Sequence, residues 1–230
     1  MKYRLHSHRN GRFLFENDAR YQADWLSITS VLDSITDEDL VEAHNAARRR
    51  RPNCKSLSDA INGLLRTRLD ETRWARESAI FNDPEYTSNR ETRWRLDFAS
   101  KVMAVEVAFN HGEAIAWNLL KPVLSAELNH VEKAIQTSGG IIITATEAMK
   151  KAGNFDSAVG TYEKFLRYLN PMMNVLTVPI VIIGLEPPDT FKLGSEGPEK
   201  GAVLPVLGQS APDQALLMAA EESADFGDNS

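Results

Sequence analysis

A chain of 230 residues with 43% hydrophobic side chains can bury the core of one α/β domain, and its single cysteine, Cys54, rules out an internal disulfide framework. The amino terminus (Met1-Lys-Tyr-Arg-Leu-His) lacks the apolar stretch of a secretory signal, and no apolar run reaches the roughly 20 residues of a membrane helix, so a soluble, cytoplasmic protein is expected. The net charge of −6 argues at first against DNA as a partner, but from Glu186 onward there are 9 acidic and 2 basic residues, which leaves the preceding body at +1.

That body concentrates arginine at residues 48–51, at Arg66, Arg68, Arg73 and Arg76, and at Arg90, Arg93 and Arg95. Solvated helix faces explain such residues as readily as phosphate contacts do, so charge alone identifies no partner.

In chain order, residues 2–5 and 12–15 flank His8-Arg9-Asn10-Gly11, whose Asn-Gly turn signal predicts an opening hairpin. Tyr21, Trp25, Ile28, Leu32 and Ile35 then recur at helical spacing and predict a helix packed on the core. A second helix is expected after Thr36, whose hydroxyl can cap Asp37-Glu38-Asp39, ending near the arginine run and Pro52. A third is expected over 58–72, with Ile61, Leu65 and Leu69 on one face.

The period changes at the centre of the chain, where residues 94–98 and 102–109 read as two strands joined as a hairpin across 99–101. A helix from Glu113, perturbed at Pro122, a strand at 141–144, a helix at 161–169 and an apolar strand at 179–184 complete the body. Helices interspersed with strands imply an α/β fold, a mixed sheet covered on its faces. Beyond Pro187-Pro188 the composition turns to Gly, Pro, Ser and acids, which predicts a main domain over 1–187 and a disordered acidic tail over 188–230.

Glu106 interrupts a strand that is otherwise apolar on both faces. A carboxylate buried there must protonate, pair with a cation or bind a metal. Asp97 lies in the preceding strand, and the hairpin can bring the two acids together, where they would suit a hard cation such as Mg²⁺ acting on a phosphate ester. Taken alone, an Asp and a Glu nine residues apart are weak evidence and a structural ion pair explains them better, and Glu77 can be a solvated acid beside Arg73 or Arg76.

Read together, these residues resemble a known family. Asp97, eight residues, then Glu106-Val107-Ala108-Phe109 resembles the Asp, eight residues, Glu-Val-Gln-Phe core of the BglII and BstYI type of restriction endonuclease, a variant of the PD-(D/E)xK nuclease signature. Ser7-His8-Arg9-Asn10-Gly11 is similar to the amino-terminal turn of the BstYI branch, and Ala60-Ile61-Asn62 with Trp74 to the helix before the site. Thr161-Tyr162-Glu163 is similar to the family's Tyr-Tyr-Glu helix and Val181-Ile-Ile-Gly184-Leu-Glu-Pro187 to its last core strand, so the resemblance spans residues 1–187.

It implies the restriction-endonuclease-like fold, a central mixed sheet flanked by helices. It also implies Mg²⁺-dependent cleavage of double-stranded DNA at a short palindrome with a GATC core, by a homodimer whose biological companion is a cognate DNA methyltransferase. Asp97 and Glu106 would be metal ligands with the Val107 carbonyl, and Glu77 the accessory catalytic group. Asn110, His111, Asn154, Asp156 and Ser157 would contact DNA.

The departure is Ala108, which shares the face of Glu106 where the family carries Gln, Glu or Lys to position the attacking water. Either Glu77 or a residue from elsewhere supplies that function, or the protein is a slow or catalytically impaired DNA-binding relative. A non-restriction nuclease of the same fold is the other alternative.

Overall fold

The computed structural model describes residues 1–87, 93–127 and 130–206. Its centre is a six-stranded mixed sheet of β1 (Tyr3–His8), β2 (Ala75–Ala79), β3 (Arg95–Ala99), β4 (Met103–Val107), β5 (Gly139–Ala145) and β6 (Ile180–Leu185), in the order β1-β6-β5-β4-β3-β2. Strands β4, β5 and β6 run parallel, while β1 joins β6, and β2 and β3 extend from β4, in antiparallel pairs.

The sequences of β5 and β6 dictate that central position. Every residue of both is buried, and the alternation assigns each face: Ile141, Ile143, Val181 and Ile183 pack on one side, Ile142, Ile180 and Ile182 on the other. The first face is covered by α1 (Gly11–Asn17), α2 (Ala19–Ser34), α3 (Asp37–Arg50) and α4 (Ser58–Arg68), through Phe15, Trp25, Ile28, Leu40, Ile61 and Leu65. A short α5 (Pro84–Thr87) precedes β3, and α7 (Glu147–Ala152) follows β5. The second face is covered by α6 (Ile115–Ala126) and α8 (Tyr162–Met172), through Leu119, Val123 and Phe165.

Several expectations hold in detail. The predicted stripe of α2 is buried, Thr36 and Asp39 form the reciprocal capping box that starts α3, and β3 and β4 make the central hairpin. The turn of that hairpin is fastened to α2: Ser100 Oγ donates to the buried Asp24 carboxylate and accepts from the N–H groups of Val102 and Met103, at 3.2 and 2.9 Å.

The opening hairpin does not form. β1 pairs with β6 instead, from Tyr3 opposite Leu185 to His8 opposite Ile180, and residues 12–15 lie in α1. Asn10, at φ 56°, reverses the chain as its residue type allows, but Phe15 is needed in the core at helical spacing. Gly11 sits against β6 so closely that a Cβ there would lie 2.8 Å from the Ile180 carbonyl oxygen. Helix α4 also stops earlier than expected, at Arg68, because Asp70 turns the chain by accepting from the Thr72 N–H at 2.9 Å, ahead of β2.

The boundary at residue 188 is likewise corrected. β7 (Phe191–Leu193) and β8 (Val203–Pro205) form a two-stranded antiparallel sheet, and Phe191 and Leu193 are buried in the main core. Asp37 accepts from the N–H groups of Asp189 and Thr190, and the Gly201 carbonyl accepts from His44 Nε2 at 2.8 Å and Arg48 Nη1 at 2.9 Å. Two apolar residues in a polar stretch carry no periodicity, so composition alone misreads residues 189–206; the rest of the expected tail, 207–230, lies outside the described residues.

Candidate active site

Backbone pairing between β3 and β4 matches Phe98 with Val105 and Ala99 with Ala104, so the next position sets Asp97 opposite Glu106. Past this point the Val107 N–H donates to Asp97 Oδ2 at 2.7 Å. That bond fixes one oxygen of Asp97 against the strand edge.

Glu106 is 3% exposed. Its Oε2 accepts from Lys121 Nζ at 2.6 Å, and its Oε1 is buried with no hydrogen-bond partner. Burial, then the charge of Asp97, pushes the Glu106 carboxyl up to about 8, against a smaller opposing pull from Lys121. Burial also raises Asp97, with Glu77 acting in the same direction and the Val107 N–H and Lys121 opposing.

These raised values give a signed prediction for protein kept free of divalent ions. A carboxyl raised from 4.5 to about 8 by folding contributes stability that is complete below 4.5 and is lost as pH rises through about 8. The unfolding midpoint in chelator should therefore fall across that window more steeply for the wild type than for Glu106→Gln. Equal slopes in the two proteins would show that Glu106 is not the raised group.

Lys121 is the participant that the sequence reading missed. It lies in an apolar helix and is only 9% exposed. Its signal was a polar line through α6 at helical spacing: Asn118 donates to Asn110 Oδ1 at 3.0 Å, Lys121 reaches Glu106, and Ser125 bonds Thr137 at 2.7 Å. Close approach of helix and sheet makes this reach possible. A Cβ at Gly140 of β5 would lie 2.5 Å from Pro122, so glycine there lets α6 sit low on the strands.

Glu77 is at the register position facing Asp97, between the pairs Arg76–Phe98 and Ser78–Leu96. It adopts a left-handed φ of 48°, and its half-exposed carboxylate is salt-bridged to Arg66. Ala108 is buried among Ile115 and Leu119 of α6 and the apolar side of β5 and β6. It offers no polar group.

A cleft of about 720 Å³ opens between α3, α4 and this hairpin, lined by Arg50, Arg51, Asn62, Arg66, Asp97 and Val107. Asp97 thus meets the cleft, while Glu106 lies buried across the hairpin from it. Asp59 lines the cleft too, and Arg51 is paired with Asp59 and Arg66 with Glu77, so a phosphate entering beside Asp97 would exchange those carboxylate partners for its own oxygens.

The predicted DNA-contacting residues come together on two adjoining loops. His111 pairs with Val159, the Gly160 N–H donates to the Asn110 carbonyl at 3.0 Å, and the Gly112 N–H to the Ala158 carbonyl at 2.7 Å. Phe109 and Phe155 rings pack beneath, 5.2 Å apart. Several of these polar groups already have structural partners: Asn154 donates to the Lys55 carbonyl at 2.8 Å, Asp156 accepts from the Ala158 N–H at 2.8 Å, and the Ser157 carbonyl accepts from Lys150 at 2.6 Å.

The family model of restriction endonuclease BglII/BglIII matches residues 3–185. The chain belongs to this family. The match takes in both acids, the hairpin that carries them, α6 and the two loops, and it makes the chain a type II restriction endonuclease, a nuclease that binds DNA. The fold is similar to that of the crystal structure of restriction endonuclease BglII complexed with a DNA 16-mer, at a TM-score of 0.56 and 17% identity over 84% of this chain and 82% of that one. No curated protein sequence matches the chain. Among the described residues no helix is long and apolar enough to cross a membrane.

Proposed function

We propose that this protein hydrolyses double-stranded DNA at a short palindrome with a GATC core, in a reaction that requires Mg²⁺. The observation that carries the reading is the pair of acids, half-buried Asp97 facing buried Glu106 across the hairpin, with Glu106 Oε1 left without a partner. Among the described residues no three His, Cys, Asp or Glu side chains converge. Two carboxylates with a backbone carbonyl, that of Val107, nevertheless suit Mg²⁺, which keeps several waters and takes few protein ligands. When bound, the ion supplies Lewis-acid charge beside the scissile phosphate.

The chain's own residues do the rest. Asp97 on the cleft wall and Glu106 buried across the hairpin from it would hold the ion, the Val107 N–H keeps Asp97 oriented, and Arg50, Arg51 and Arg66 line the path of the phosphate backbone. Asn110, His111, Asn154, Asp156 and Ser157 form the loop surface toward the bases. The GATC core rests on the resemblance to the BglII and BstYI type as a whole. A palindromic target calls for a homodimer, each subunit cutting one strand, and host DNA would be protected by a cognate methyltransferase in the same cytoplasm.

Incubating the protein with bacteriophage DNA and Mg²⁺, then sequencing the ends, tests this directly. Discrete fragments ending at one palindrome are expected. Sequence-specific binding without cleavage under any divalent ion would select the catalytically impaired reading that Ala108 raises, and cutting at structured DNA without a fixed sequence would select the non-restriction nuclease.

Glu77 serves in this reading as an accessory carboxylate beside Asp97. Supporting groups around a metal site typically contribute about 10- to 100-fold, so Glu77→Ala should slow single-turnover cleavage by that amount. An unchanged rate would remove Glu77 from the site.

A further inference from the structure

Position 108 poses a chemical problem that the fold itself answers. Ala108 lies two residues beyond Glu106, on the same face of β4, and packs against Ile115 and Leu119 of α6. A longer polar side chain at 108 would therefore project into the layer that α6 covers. From that same helix, Lys121 enters and places its ammonium 2.6 Å from Glu106 Oε2.

We infer that Lys121 is the catalytic residue that replaces the missing group at Ala108, supplied by α6 rather than by the strand, and that it holds the attacking water against the scissile phosphate. The inference rests on the nuclease reading above.

Three observations favour Lys121 over Glu77 for this role. An ammonium carries three donors, and with one engaged by Glu106 the others remain to orient a water oxygen and a phosphate oxygen. Its positive charge opposes the negative charge that builds on the phosphate, whereas a carboxylate at that point would add to it. Glu77, finally, is half-exposed and already paired with Arg66. Burying a lysine in an apolar helix is costly unless function or pairing retains it, and a Glu106–Lys121 ion pair alone would be no more stabilising than a well-packed apolar pair.

In the step itself, the oxygen of the water held by Lys121 forms the new bond to phosphorus and the bond from phosphorus to the 3′ oxygen breaks. The proton lost by the water passes to solvent, and solvent returns one to the 3′ oxygen. Products are a 5′ phosphate and a 3′ hydroxyl.

The test compares Lys121→Gln with wild type in three measurements: single-turnover cleavage at saturating Mg²⁺, binding of Mn²⁺ alone read by electron paramagnetic resonance, and thermal unfolding. Lys121→Met, which keeps the stem without the charge, stands in if Lys121→Gln does not fold. The expected result is a fall in cleavage of about 10²- to 10⁴-fold in protein that is folded and binds Mn²⁺ as the wild type does.

Two outcomes overturn the inference. If Lys121 is only the counter-ion of Glu106, saturating Mg²⁺ replaces its charge and the variants cut at the wild-type rate. If Lys121 only positions Glu106, cleavage and Mn²⁺ binding fall together. A wild-type protein that cuts no DNA while binding it would instead refute the nuclease reading, and the inference with it.

Discussion

Asp97→Asn and Glu106→Gln are each expected to abolish detectable cleavage. Both remove a proposed ligand of the cation on which the reaction depends, Asp97 on the cleft wall and Glu106 buried across the hairpin from it. Losing about 4 kcal/mol of that stabilisation corresponds to a rate drop of about 10³-fold, enough to eliminate fragments in an ordinary digest.

Neither substitution should break the fold. Asp97 uses Oδ2 to accept from the Val107 N–H, and the amide oxygen of asparagine can accept the same bond. The Glu106 carboxyl is already pushed up to about 8 by burial and by Asp97, so in metal-free protein near neutrality Glu106→Gln removes little charge and keeps an oxygen that can accept from Lys121 Nζ. Asp97→Asn should bind DNA in Ca²⁺ and unfold near the wild-type midpoint, while in chelator Glu106→Gln should hold its midpoint as pH rises through about 8, where the wild type loses stability. Normal cutting by both single variants would remove the site assignment altogether.

What the sequence made visible follows from where its signals are dense. The α2 stripe, the Thr36 cap and the two central strands are readable because local period and capping chemistry agree with the tertiary fold. Glu106 stood out for the opposite reason, as a charge that its strand could not otherwise accommodate. β2 left no trace because its residues, Ala-Arg-Glu-Ser-Ala, lie at a sheet edge with only Ser78 buried, so neither face imposes an apolar alternation. Lys121 was hidden because a single lysine in a helix reads as surface. Only its line with Asn118 and Ser125, and its partner Glu106 across the gap on β4, give that position meaning. The pairing of β1 with β6 is a contact between the two ends of the family match, and turn chemistry at Asn10 cannot specify so distant a partner.

The segment after Pro188 yields the second large effect, because it does structural work that its composition conceals. Truncation after Pro188 removes Phe191 and Leu193, both 3% exposed, and each such side chain contributes about 1.5–3 kcal/mol by leaving water. It also removes the peptide donors of Asp189 and Thr190 from Asp37, at the first turn of α3, and the Gly201 carbonyl that satisfies His44 and Arg48 farther along that helix. Against a total stability of about 5–15 kcal/mol, these losses bring a domain to the edge of unfolding. The truncated protein should be poorly soluble or unfold at a sharply lower temperature, whereas a chain ending after Val206 keeps every one of these contacts and serves as the control. The consequence reaches DNA, because α3 carries Arg50 and its C-cap is Arg51, two of the cationic residues lining the cleft. Loosening that helix should weaken binding at low salt even in whatever fraction remains folded. A protein ending at Pro188 with the wild-type unfolding midpoint would show that β7 and β8 rest on α3 without supporting it.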